Sequence, residues 1–147
     1  MLINLLVATG MVATTVIIHF WGLLALTHLL QRGHARVRLG QSRATQTWLI
    51  VFVVFGIFAL HTVEIWLYGF LYRILGELPD FETSLYFATE TFVSLGYGDV
   101  VLSPKWRLLS AIEAANGVIL IAWSTAFLMA LTSRLRLIEH DWLDRRD

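Results

Sequence analysis

Three apolar stretches constrain this chain more than anything else in it. Leu2 to Leu30 passes without one Lys, Arg, Asp or Glu. Trp48 to Tyr72 holds a single such residue, Glu64, and Leu108 to Leu131 holds only Glu113. A helix needs about 20 apolar residues to cross the hydrocarbon of a bilayer, and each stretch is long enough. Composition agrees, with 57% hydrophobic residues against roughly 45–50% in soluble domains. The first stretch lacks a basic leading segment and is long for a signal peptide, so it reads as a retained span. The sequence therefore predicts an all-α membrane protein with three transmembrane helices.

The polar residues narrow the function. There is no cysteine, which excludes disulfides, thiol catalysis and thiolate metal sites. The 11 basic and 11 acidic residues cancel, so no basic excess points to nucleic acid. Their placement is informative. Arg32, Arg36, Arg38 and Arg43 follow the first span, and Arg134, Arg136, Arg145 and Arg146 follow the third. The opposite side has Arg73, Lys105 and Arg107 among Glu77, Asp80, Glu82 and Asp99. Arginine-rich loops stay cytoplasmic. That predicts a multi-pass protein of the cell (inner) membrane, with the N-terminus and residues 73–107 outside and the C-terminus in the cytoplasm. Leu135, Ile138 and Trp142 recur at helical spacing, so the short tail reads as an amphipathic continuation of the third span.

The segment between spans two and three carries the function. Gly76 and Pro79 break the second helix. Asp80 and Thr83 can cap a new one, running from about Phe81 to Val93. It is too short to cross a bilayer, and between two spans it reads as re-entrant. It runs into Gly96-Tyr97-Gly98. Re-entrant backbone must be satisfied by protein or by what it lines. A cation entering a narrow passage loses water, and rings of carbonyl oxygen can replace that shell. Turning successive carbonyls one way requires positive φ, which Gly96 and Gly98 adopt freely. Ser94 adds a hydroxyl oxygen. One chain supplies one wall, so a ring calls for further copies around an axis.

Thr91-Phe92-Val93-Ser94-Leu95-Gly96-Tyr97-Gly98-Asp99 resembles the potassium channel pore signature TxxTVGYGD. The likeness covers roughly Phe81 to Leu131, and the whole is similar to small bacterial channels of the KcsA-like two-helix-pore type with an extra N-terminal span. The resemblance implies a homotetramer in a lipid bilayer that passes K+ and needs no cofactor. It implies K+ sites at Ser94, Leu95, Gly96 and Tyr97, with Gly98 completing the filter. Here Ser94 stands for the usual Thr and Leu95 for the usual Val. It implies filter support from Thr91 and from a Glu90–Asp99 pair sharing a proton. The aromatic that braces the filter Tyr in that family matches Phe87, which cannot hydrogen-bond. Gly117 matches the gating hinge; close helix packing is the alternative reading. The domain plan is then 1–43 for the N-terminal helix and basic loop, 44–133 for the pore domain and 134–147 for the tail.

The remaining polar residues leave choices open. Asn116 can face the cavity or a neighbouring subunit, while Val118, Ile121 and Thr125 share a helical row that would line the cavity. Glu113, an intramembrane acid, can brace the pore helix through Thr89 or Ser94, or act in ion passage. His61 and Glu64 lie three apart on one helical face. They could sense pH, bind a metal, or serve as a hydrogen-bonded structural pair against the pore helix. His19 and His28 show no obvious partner and read as packing residues. Span one has no basic ladder, so no voltage sensor is recognisable. A haem-binding anchor using His19, His28 or His61, and a non-conducting regulatory or sensor subunit that keeps the pore fold, are the alternative functions. His61-Thr62-Val63-Glu64 lacks the order and second His of HExxH, which argues against a metalloprotease and leaves no enzyme signature.

Overall fold

The computed structural model describes residues 1–34 and 43–134, and among these every regular element is helical. Helix α1 spans Leu2–His34, α2 Arg43–Ile74, α3 Phe81–Phe92 and α4 Arg107–Arg134. Three of them, α1, α2 and α4, are long and apolar enough to cross a membrane. The expected basic-loop arginines Arg36 and Arg38, and the expected tail helix through Leu135, Ile138 and Trp142, lie outside the described residues.

Local chemistry ends α2 and starts α3. Gly76 takes φ 68°, which a side chain would resist and glycine does not. Its N–H donates to the Arg73 carbonyl at 3.2 Å and the Glu77 N–H to the Tyr72 carbonyl at 3.3 Å, the paired bonds that close a helix around a left-handed residue. Asp80 then caps α3, its Oδ1 accepting the Thr83 N–H at 2.8 Å and its Oδ2 the Thr83 hydroxyl at 2.9 Å. These bonds favour the charged carboxylate, backbone N–H first, and hold its pKa below the ordinary value.

Helix α1 docks on both long neighbours. It runs parallel to α4: Asn4 Nδ2 donates to the Lys105 carbonyl at 2.5 Å, Thr15 meets Asn116, and His19 meets Ser124. It runs antiparallel to α2, with Gly22 under Leu60 and Gly56 under Leu26, each glycine making room for the other helix's leucine. Such notches let helices approach where lipid supplies no hydrophobic drive for association. The Asn4 bond also puts the start of α1 on the same side as the loop that leads into α4. Two apolar clusters result. One joins Tyr68, Tyr72, Phe87, Phe92, Leu109 and Leu120 around α3, and the other joins Leu23, Leu26, Leu30, Val53, Ile57 and Leu60 between α1 and α2.

Candidate functional site: a re-entrant loop and the polar core behind it

Helix α3 points its C-terminal end at α4, and their contact fixes the loop that follows. A Cβ on Gly117 would overlap the Phe92 carbonyl oxygen. Helix α4 can therefore lie against the last turn of α3 only with glycine there. The structure thus supplies a close-packing role for Gly117, and α4 is continuous through it.

From Ser94 the backbone alternates. Ser94, Gly96 and Gly98 have φ of 57°, 55° and 77°, and no other non-glycine among the described residues has positive φ. The amides of the same stretch turn toward α3. Ser94 N–H donates to the Thr91 carbonyl at 2.9 Å; Leu95 and Gly96 N–H both donate to the Glu90 carbonyl, at 2.8 and 3.3 Å. Tyr97 N–H donates to Glu90 Oε2 at 3.3 Å. Four consecutive amides are thus tied back to α3, and no described residue donates to a carbonyl of residues 94–98. A Cβ on Gly96 or Gly98 would meet nothing within 4 Å, so it is the backbone conformation and not space that calls for glycine. Ser94 adopts the same conformation at a cost of about 1–2 kcal/mol. Its hydroxyl leans on the Ala114 carbonyl at 3.5 Å, the limit of a hydrogen bond. Leu95 and Tyr97 are 54% and 69% exposed in the single chain.

The supports differ from those expected. Glu90 and Asp99 are not joined within the chain: Glu90 is buried and holds the Tyr97 amide, while Asp99 Oδ2 accepts the Tyr86 hydroxyl at 2.9 Å. The reason is geometric. Glu90 lies beneath the loop among its amides, and Asp99 lies past the loop, within reach of a phenol on the same helix. Phe87 instead packs edge-on against Tyr72 at 5.2 Å. Tyr86, its neighbour, bonds Asp99 and not Tyr97.

Glu113 is fully buried, and its partner is neither Thr89 nor Ser94 but Tyr72, whose hydroxyl donates to Glu113 Oε2. Thr89 turns its hydroxyl back to the Leu85 carbonyl at 2.7 Å. Oε1 of Glu113 has no hydrogen-bond partner among the described residues. Asn116 faces neither a cavity nor a neighbour: its Nδ2 donates to Thr15 Oγ1 at 2.8 Å and to the Tyr68 hydroxyl at 3.3 Å, bridging α4 to α1 and α2. Ile121 and Thr125 line a pocket of about 520 Å3 between α2, α3 and α4 within the one chain, together with Phe58, His61, Thr89 and Phe92, which is not a cavity shared around an axis; Val118 is exposed outside it.

The largest departure concerns His19. It is fully buried, and its Nδ1 meets Glu64 Oε1 at 2.9 Å while His61 Nδ1 meets Oε2 at 2.8 Å. The two imidazole rings stack at 5.5 Å, and Ser124 Oγ lies 3.4 Å from His19 Nε2. The His61–Glu64 pair therefore bonds to α1 rather than to the pore helix, which His61 meets only through the Phe92 ring at 5.7 Å. The signal was present in the sequence: a carboxylate inside a span demands polar company at its depth, and His19 is the histidine nearer the middle of span one, His28 lying at its end.

Two long helices flanking a short helix, followed by a loop of alternating φ whose amides are bonded back to that helix, are the arrangement of a membrane pore subunit. Comparison with protein families agrees: an ion channel family model matches residues 48–134, which cover α2, α3 and α4. The chain belongs to the ion channel family, and it is a multi-pass membrane protein. No curated protein and no solved structure matched it.

Proposed function

We propose that four copies of this chain form a passive potassium channel, with the carbonyls of Ser94, Leu95, Gly96 and Tyr97 as K+ sites. The observation that supports this most is the pairing of alternating φ with amides bonded away from the exposed face. That arrangement leaves a column of oxygens for a dehydrated cation, and a single column encloses nothing until further copies complete it. The exposure of Leu95 and Tyr97 fits burial between copies. Helix α3 ends at the base of the column, where its partial negative charge favours a cation. The arginine distribution supports a bacterial inner-membrane placement with the loop outside.

The reading assigns no catalytic step and no cofactor. His19 and His61 converge on one carboxylate and stack, so they do not stand on opposite sides of a macrocycle, which favours conduction over a haem anchor. Purified protein in liposomes should take up K+ along its gradient and exclude Na+. Equal flux of the two ions would remove the selectivity. No flux of either from verified tetramers would leave the regulatory subunit as the better reading.

A further inference from the structure

The His19–His61–Glu64 cluster lies at the junction of α1 with α2 and α4, away from the column of carbonyls. Each residue offers one ligand atom, and these atoms lie within 4.8 Å of one another. We propose that they form a binding site for a divalent transition cation of the zinc class.

Two imidazoles and a carboxylate are a three-ligand set that zinc accepts with its fourth position open. The cation would sit between the Nδ1 atoms and the carboxylate that now joins them, drawing each ligand to about 2.0–2.2 Å. Each Nδ1 now meets a Glu64 oxygen, so binding the cation there would leave a neutral ring with its proton on Nε2, the Nδ1 proton having moved there or, from a protonated ring, been released. For His19 that N–H faces Ser124 Oγ at 3.4 Å, a hydroxyl placed to accept it and fix the ring. Charge supports the same conclusion. Glu64 is fully buried, and among the described residues its only ion-pair partners are the two histidines, with no Lys or Arg. A carboxylate in hydrocarbon is costly unless a positive charge accompanies it. An entry route exists, because the His61 side chain is 15% exposed and lines the 520 Å3 cavity together with the hydroxyls of Thr62, Ser124 and Thr125. A water or small donor in that cavity would complete the coordination. Bound there, the cation would pin α1 to α2, so this site concerns assembly of the subunit and is independent of which ion the pore passes.

The test uses full-length protein in detergent, titrated with Co2+ as a spectroscopic substitute and separately loaded with Zn2+. The expected results are the visible absorption of four-coordinate Co2+, and X-ray absorption of the zinc form showing two imidazoles in the first shell. His61→Gln, at the open edge of the cluster, should abolish both while the protein elutes as the wild type does. His19→Gln should do the same, and Ser124→Ala should weaken binding about tenfold. His28→Gln should change nothing. A wild-type protein that gives no Co2+ band, or a band undiminished in His61→Gln and His19→Gln, overturns the proposal. If the variants fail to fold, the wild-type zinc spectrum decides alone, and a first shell without two imidazoles rejects the site. Potassium flux is not a readout here, so failure of this site leaves the channel reading untouched.

Discussion

The loop of residues 94–99 and the polar core at the α1 junction solve opposite problems. In the loop the side chains matter little and the backbone is arranged: φ alternates, four amides are tied to α3, and the oxygens are left over. In the core the backbone is ordinary helix and the side chains are arranged: Glu64 takes two histidines, Asn116 takes Thr15 and Tyr68, and Glu113 takes Tyr72. Unpaired oxygen is useful where an ion can meet it. It is costly where only lipid and protein surround it. The two regions therefore differ in what a substitution should disturb, conduction in one and assembly in the other.

Gly117→Ala should do the most damage, because it strikes the contact that holds both regions together. The added methyl meets the backbone carbonyl of Phe92, which has no rotamer to give. Overpacking costs about 1–3 kcal/mol, and more where the neighbour cannot move. Thermal unfolding in detergent should show a marked loss, and a variant as stable as the wild type would mean that α3 and α4 do not approach as described.

Gly96→Ala comes next and separates backbone from packing. Nothing crowds a Cβ there, so the penalty is the positive φ alone, about 1–2 kcal/mol. Selective flux should disappear while the variant still elutes with the wild type. Retained selectivity would show that the alternation is not what orients the oxygens.

Asn116→Ala tests the other side of the contrast. Removing one donor from a buried polar group should cost about 0.6 kcal/mol, the average for hydrogen bonds between membrane helices, and at most about 1.7 kcal/mol. Hydrogen exchange should rise in α1 and leave the loop unchanged. If the loop loosened and α1 did not, the division between the two regions would be wrong.

The smallest effect belongs to the cap of α3. Because Asp80 has its pKa lowered by folding, its contribution is present above the unfolded carboxylate pKa and is lost as pH falls through the lower, folded value. Asp80→Asn should flatten the acid limb of a stability profile, and an unchanged limb would remove the cap from that account.

Legibility in the sequence divides along the same line. The three spans, the break at Gly76, the cap at Asp80 and the short helix followed immediately by Gly96 and Gly98 are local patterns, readable from neighbours a few positions apart. What sequence reasoning misassigned were the side-chain partners. His19 finds Glu64 at 45 positions' distance, Tyr72 finds Glu113 at 41, and Asn116 finds Thr15 at 101. Spacing on one helix cannot show which residues of another share its depth. The Tyr86–Asp99 bond was not foreseen either: a one-residue step on a helix rotates a side chain by about 100°, so position 87 packs against Tyr72 where position 86 reaches Asp99. The positive φ of Ser94 has no signal in the sequence, because a serine announces its hydroxyl and not a left-handed backbone.

The pairing of α1 with α4 has a consequence for how the subunit is made. Asn4 and Thr15 leave the ribosome well before α4, and their contacts at Lys105 and Asn116 come more than a hundred residues later. Helix α1 therefore waits, those two cross-helix bonds unmade, until α4 arrives to close the seam. A nascent chain halted before that point offers a recognisable mark of incompleteness to whatever surveys newly inserted proteins.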